Sequence, residues 1–173
     1  IAGGSTSIRS EKKYKDAIAT LGGAYNAYTT TDHTCYYINT TEDHSLAAVD
    51  ILYEWMFKNS FKDKEFKREQ SVILKEIEKN QASLSRQFYS ESQLNFFKTH
   101  PIRYPVIGFE EDFIKLKNSD LKEYYKKTYI PSNMILAIGG NFDETKILTH
   151  IKNTFGKEPC VAPITPLILN EQR

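Results

Sequence analysis

The sequence has few of the features that mark several common classes of protein. Its 173 residues include two cysteines, Cys35 and Cys160, which are too few for a disulfide framework and are predicted to be free thiols. Lysine and arginine total 23 against 22 acidic residues, so the strong basic bias of a nucleic-acid-binding or anionic-membrane surface is missing. No apolar run approaches the roughly 20 residues of a membrane-spanning helix. We therefore expect no nucleic-acid partner and no membrane span.

The residues that are plentiful predict a folded domain. Apolar residues make up 40% of the chain, and the 11 tyrosines and 10 phenylalanines argue against disorder. A chain of this length is enough for one domain with a sizeable core, or for two very small ones. Nothing in the sequence assigns a cellular compartment.

The spacing of apolar residues predicts mostly helices with a small amount of sheet. The aromatic and β-branched residues between 24 and 41 are typical of a β-hairpin, with a turn at 30–32. Helices are predicted over 10–21, from Asp43 to about 58, from 63 into the nineties with an irregularity near Ser83–Ser85, over 110–116, over 119–129 and over 143–155.

The C-terminal third predicts one further strand and a tail. The unbroken apolar run Met134-Ile135-Leu136-Ala137-Ile138 indicates a strand buried on both faces. Pro159, Pro163 and Pro166 favour an extended tail. We therefore predict an α+β domain over 1–158, with a mixed or antiparallel sheet and helices packed on one face, and a Pro-rich tail or linker over 159–173.

The predicted helix that begins near residue 63 places carboxylates beside apolar residues. On a helical wheel, Phe66, Val72, Ile73 and Ile77 share one arc with Glu65, Glu69 and Glu76, and the lysines and arginine lie on the other side. Burying an ionised carboxylate without a partner costs on the order of several kcal/mol or more. Three explanations stay open: pairing with buried bases, a stripe that is half-buried at its edge, or a bound metal cation.

Several short motifs, in order along nearly the whole chain, resemble one family. Residues 21–29 (LGGAYNAYT) resemble its Gly-Gly-x-x-Asn-Ala-Tyr-Thr segment, and residues 68–77 (REQSVILKEI) resemble its Arg-Glu-x-x-Val-x-x-Glu-(Glu/His) helix, although here Lys75 precedes the key carboxylate. Residues 105–108 (PVIG), 121–134 and 140–143 (GNFD) match later turns and junctions. The chain is thereby similar to the inverzincin-type zinc peptidases of the pitrilysin, insulin-degrading enzyme and mitochondrial processing peptidase family.

The resemblance implies a role for each of two glutamates. In the family, a His-x-x-Glu-His helix gives two zinc ligands and the general base, and a glutamate some 76 residues later gives the third ligand. Gap-free matching puts the second histidine immediately before Ile1, so Glu76 is the expected metal ligand. Glu69 is then the auxiliary catalytic carboxylate near the metal.

The sequence departs from the family pattern because it contains no His-x-x-Glu-His. Its histidines are His33, His44, His100 and His150, none of which has the i, i+4 partner that a metal-binding helix face requires. A catalytic zinc needs three protein ligands and an open position. We therefore expect Zn²⁺ as the cofactor of the complete protein, and we expect this chain alone to be an inactive part of its N-terminal domain that does not hold zinc tightly.

The resemblance also implies a substrate and partners. The strand through Asn26, Ala27, Tyr28 and Thr29 is similar to the edge strand to which family substrates, peptides or unfolded polypeptides, add as an extra β-strand. An ordinary strand, with Asn26 present for turn or packing reasons, is the alternative. A second homologous domain or subunit is expected. The rival function is a non-catalytic subunit that acts in substrate binding or in assembly of a heterodimer like that of the processing peptidase, and a structural domain with a coincidental match is a more remote rival.

Overall fold

The computed structural model describes residues 4–164, which form two compact units. The first comprises the chain up to Tyr28, then Thr34–Lys62 and Lys122–Ile164. The second comprises Thr29–His33 and Asp63–Leu121. The proposed domain boundary at 158/159 stays a prediction: residues 159–164 are neither helix nor strand, and the rest of the tail lies outside the described residues.

The secondary structure of the described residues confirms the α+β fold class. Two strands pair as one antiparallel sheet, and most other elements are helices. In chain order the elements are α1 (Glu11–Thr20), β1 (Ala24–Thr29), β2 (Thr34–Asn39), α2 (Ser45–Phe57), α3 (Asp63–Gln81), α4 (Leu84–Phe96), α5 (Glu110–Phe113), α6 (Asn118–Thr128) and α7 (Glu144–Asn153). The predicted irregularity near Ser83 is a break between α3 and α4. No described helix is long and apolar enough to cross a membrane.

Two adjacent glycines place the hairpin against the end of α1. The helix begins at Ser10, whose hydroxyl accepts the backbone N–H of Lys13, and ends before Gly22, which has a φ of 58°. Glycine adopts this left-handed conformation without the steric cost that other residues meet. At Gly23, a Cβ would lie 2.2 Å from the carbonyl oxygen of Asn39, so a side chain there would push β2 away.

The core of the first unit lies between α1, α2 and the inner face of the hairpin. Its buried members are Tyr14, Ile18, Leu21, Ile51 and Trp55. The Trp55 ring is fully buried and lies 6.0 Å from the ring of Tyr14 and 5.5 Å from that of Tyr25. Aromatic pairs at these separations add to the free energy gained from burying their area. Helices therefore cover one face of the hairpin, as the sequence predicted.

The prediction of a buried strand at 134–138 is wrong for the described residues. The segment 134–139 carries no strand, and Ile135 is 96% exposed. None of the backbone hydrogen bonds found among residues 4–164 involves 135–139. Apolar and β-branched residues favour a strand, but a strand also needs a neighbour for its N–H and C=O groups. The described chain provides no such neighbour here.

Buried tyrosines give the first unit a predictable alkaline response. The hydroxyl oxygens of Tyr36 and Tyr129 lie 2.7 Å apart, and the ring of Tyr129 stacks on that of Tyr125. Burial raises the pKa of Tyr125 to about 12 and also raises the pKa values of Tyr36 and Tyr129. Because these folded-state pKa values lie above the unfolded value of about 10, their contribution to stability is present below pH ~10 and is lost as the pH rises toward 12.

We therefore expect the unfolding temperature of the complete protein to fall above pH ~10, with a shallower fall for the Tyr125→Phe variant. Absorbance of ionised tyrosine at 295 nm should show a late group of tyrosines that titrates together with unfolding. Ionisation of every tyrosine near pH 10, with the fold retained, would contradict this expectation.

Candidate functional site

The two glutamates singled out by sequence lie on one side of α3. Residues seven apart in an α-helix differ by about 20° around the axis and by roughly 10 Å along it. Glu69 and Glu76 have this spacing within an uninterrupted helix, Asp63–Gln81. The helix therefore presents both carboxylates in the same direction, as predicted.

The structure corrects which part of α3 is buried. Ile77 is 2% exposed and Phe66, Ile73 and Leu74 are half-buried, whereas Val72 is 54% exposed. Glu69 and Glu76 are both exposed. The buried face is thus rotated toward Leu74, and the carboxylates flank it rather than lie within it. Their charges carry no burial penalty in this chain, so no buried base is needed to explain them.

The surroundings of the two carboxylates differ. One oxygen of Glu69 accepts from the guanidinium of Arg68, at 2.8 Å from one nitrogen and 3.0 Å from another. Both side chains are about half exposed, so this pair contributes on the order of 1 kcal/mol or less. Glu76 makes no hydrogen bond or ion pair with any described residue. Glu76 is thus the carboxylate that is available to a ligand.

A metal site cannot be completed from the described residues alone. Among residues 4–164 no group of three histidine, cysteine or acidic side chains is placed to hold a metal ion. A carboxylate oxygen is a donor that zinc accepts, at about 2.0–2.2 Å. The Glu76 carboxylate therefore fits, by its chemistry, as one donor to a zinc ion, and residues 4–164 alone supply no complete set.

The strand β1 has one paired edge and one edge without a partner strand in the described chain. A turn bond from the N–H of Thr30 to the C=O of His33 closes the hairpin. Because bonded pairs alternate along an antiparallel ladder, residues 24, 26 and 28 direct their backbone groups toward β2. Tyr25, Ala27 and Thr29 direct theirs toward the other edge, where the sheet has no third described strand.

The predicted substrate-binding residues therefore have different roles in β1. The Asn26 side chain accepts the N–H of Ala27 at 2.8 Å, which supports a local role for this asparagine. The Tyr28 side chain is 49% exposed on the outer face of the hairpin, where its ring lies 6.5 Å from that of Tyr37. Its hydrogen bond with the Cys35 thiol is the largest of the effects that raise the pKa of Tyr28.

A buried polar cluster around Glu54, in the first unit, was not predicted from the sequence. Glu54, on α2, is 3% exposed, and its carboxylate accepts from the hydroxyls of Tyr14 and Thr6. Arg9 lies 3.3 Å from its other oxygen. The sequence held a signal, because Glu54 falls between the apolar residues Ile51 and Trp55 on the helix face that packs against α1. Burial, and then the bond to Glu54, raises the pKa of Tyr14.

Comparison with known proteins adds independent information on the family. The model of the insulinase family, peptidase family M16, matches residues 2–108. The model described as the peptidase M16 inactive domain matches residues 115–172. Together the two matches cover almost the whole chain.

Relatives and solved structures agree with these matches. An uncharacterised zinc protease of Bacillus subtilis, YmxG, is 25% identical over 94% of this chain and 39% of its own length. The β subunit of the yeast mitochondrial-processing peptidase is 27% identical over 94% of this chain and 35% of its own. Human cytochrome b-c1 complex subunit 1 is 29% identical over 86% of this chain and 32% of its own length.

A protease from Helicobacter pylori superimposes with a TM-score of 0.88 at 25% identity, over 95% of this chain and 40% of that protein. The present chain thus spans about two fifths or less of the length of these relatives. With the family models matched over residues 2–108 and 115–172, and with the helix, hairpin and glutamates placed as described, this chain belongs to the insulinase family of zinc peptidases, peptidase family M16.

Proposed function

We propose that this chain is the part of a zinc-dependent endopeptidase that provides one metal ligand and the edge on which the substrate lies. The observation that carries the proposal is Glu76, an exposed carboxylate without a partner among the described residues, on a helix of a chain that belongs to a zinc-peptidase family. Glu76→Gln is the variant that tests it most strongly.

Each carboxylate of α3 has a defined task in this proposal. Glu76 holds the metal through a carboxylate oxygen, and the remaining ligands come from a His-x-x-Glu-His segment that precedes Ile1 in the complete protein. Glu69, about two turns away on the same side, adds negative potential near the metal and is partly neutralised by Arg68. When bound, zinc supplies a Lewis acid that polarises the scissile carbonyl and makes water acidic enough to react near pH 7.

The substrate is proposed to lie along β1 as an added strand. In this proposal an extended peptide pairs with the edge of β1 that faces away from β2 and displaces the Asn26 side chain from the N–H of Ala27. Such main-chain bonds give affinity with little sequence preference. Peptides or unfolded polypeptides are therefore the expected substrates.

Strand addition predicts a period of two in the response to backbone methylation of a substrate. With a fluorogenic decapeptide cleaved by the complete protein, N-methylation of alternate residues should raise KM about tenfold or more, since each lost hydrogen bond also leaves a protein acceptor unpaired. Methylation of the intervening residues should have little effect.

The unmethylated peptide and a side-chain-matched series are the controls. An equal loss at all positions, or a loss at none, would show that the peptide does not bind as a strand.

A non-catalytic subunit is the second candidate function. The similarity to cytochrome b-c1 complex subunit 1, at 29% identity, favours it, because that relative is named as a subunit of a complex and not as a protease. The residues that precede Ile1 in the complete protein discriminate between the two. A His-x-x-Glu-His ending immediately before Ile1, with about one zinc per chain, supports the peptidase, and absence of both supports the subunit.

A further inference from the structure

We infer that Glu54 is a positioning residue for the metal centre, and that it acts by fixing the segment Ser5–Arg9, here called the anchored segment. This inference rests on the proposed function, because the ligand histidines of that proposal precede Ile1. Four residues separate Ser5 from the proposed histidine, so the Cα atoms of the two lie at most about 18 Å apart. The position of the anchored segment therefore limits where that histidine can lie.

The anchored segment is held at several points. The N–H of Ser7 donates to the C=O of Lys58 at 2.8 Å, and the N–H of Ser60 donates to the C=O of Ser5 at 3.0 Å. Ser5 and Thr6 are 1% and 6% exposed, although both are polar. Ser5 and Thr6 are therefore held in one position by burial and by these backbone bonds.

Glu54 organises the side chains that shape this segment. The Thr6 hydroxyl oxygen accepts the N–H groups of Ile8 and Arg9 at 3.1 and 3.0 Å, and the hydroxyl donates its one proton to the Glu54 carboxylate, 3.3 Å away. Tyr14 donates its own proton to Glu54. The buried Glu54 carboxylate thus accepts hydrogen bonds from both hydroxyls and forms an ion pair with Arg9.

An amide at position 54 cannot do the same. A glutamine side chain would offer one acceptor oxygen in place of two, and its NH₂ group would face either the guanidinium of Arg9, which is also a donor, or a hydroxyl that now donates to position 54 and would have to turn round and accept. Glutamine would also remove the counter-charge of Arg9, whose side chain is 30% exposed. The expected result is an anchored segment that no longer has a single position.

Glu158 provides a matched control, because its carboxylate contacts Tyr53, on α2, and Lys58, the residue that follows α2. Glu158 accepts from the Tyr53 hydroxyl and from Lys58 at 2.9 Å, and its side chain is 17% exposed. It resembles Glu54 in having a tyrosine and a cation as partners, but it has no bond to residues 5–9. Glu158→Gln should therefore lower stability without changing the metal centre.

The test uses the complete protein and measures zinc retention during dialysis against a chelator, kcat and KM on a fluorogenic peptide, and the unfolding temperature. Glu54→Gln should speed zinc loss and lower kcat by about 10- to 100-fold, the usual cost of losing an outer-shell support, with KM nearly unchanged. Glu158→Gln should leave zinc loss and kcat at parental values. Equal zinc loss and equal kcat in the two variants would overturn the inference.

If Glu54→Gln does not fold, Thr6→Val and Thr6→Ser replace it, because serine keeps the hydroxyl and valine removes it at constant shape. Zinc loss that is fast in Thr6→Val and normal in Thr6→Ser supports the inference, and equal rates in both overturn it. A parental protein that neither binds zinc nor hydrolyses peptide would instead refute the proposed function, and with it this role of Glu54.

Discussion

Replacing Glu76 by glutamine in the complete protein is expected to abolish most peptide hydrolysis and to leave the zinc content well below one per chain. A neutral amide is a poor zinc ligand, and the loss of one of three protein ligands leaves the metal loosely held, so that little of the protein retains the zinc that activates water. The loss of activity should exceed the roughly 10- to 100-fold that follows removal of an outer-shell group. Zinc analysis and kcat/KM on a fluorogenic peptide measure both effects.

Glu69→Gln is the matched control, because it makes the same chemical change on the same side of the same helix. It should cost about 10- to 100-fold at most and should retain zinc, since this carboxylate acts only through its field. Both residues are exposed in the described chain. Surface substitutions usually change the free energy of unfolding by no more than about 0.5 kcal/mol, and we expect the same of both variants. Full zinc and near-parental activity in Glu76→Gln would show that Glu76 is not the ligand.

The largest stability effect is expected at Trp55. Its side chain is fully buried between Tyr14 and Tyr25, and truncation of a buried tryptophan to alanine costs about 3–5 kcal/mol. Native-state hydrogen exchange of the α2 amides in the complete protein should report this loss, because it measures the free energy of opening of this unit separately from the rest of the protein.

Trp55→Phe separates the effect of volume from that of the indole N–H. The Trp55 Nε1 atom is buried and has no hydrogen-bond partner among the described residues. Phenylalanine keeps an aromatic ring and removes that unpaired donor, so we expect a cost of about 1 kcal/mol, well below that of alanine. A cost for phenylalanine that equals the alanine value would mean that Nε1 makes an essential bond.

The parts of the fold that sequence predicted are those that depend on local interactions. The break after α1 follows from Gly22 and Gly23, and the hairpin follows from alternating aromatic and β-branched residues beside a turn. Glu69 and Glu76 could be placed on one side of α3 because the spacing of residues in a helix is fixed. The family was predicted from the order of short motifs along the chain, and the two family models support that prediction.

The parts that sequence did not predict depend on neighbours that are distant along the chain. The run at 134–138 has the composition of a strand, but strand formation depends on a partner, and Ile135 is exposed where the described chain offers none. The wheel of α3 included Val72 in the apolar arc, whereas packing around Ile77 sets a different buried face. Glu54 was overlooked because its three partners come from residues 6, 9 and 14, some 40 or more positions earlier.

The position of zinc relative to Glu76 is the most direct test of the proposed function. A crystal structure of the complete protein grown with zinc, with the metal located by its anomalous scattering, would measure it. We predict one zinc ion per chain, about 2.0–2.2 Å from a carboxylate oxygen of Glu76, with imidazole nitrogens from the segment before Ile1 as further ligands. A zinc ion held entirely by other residues, with the Glu76 carboxylate free in solvent, would contradict it.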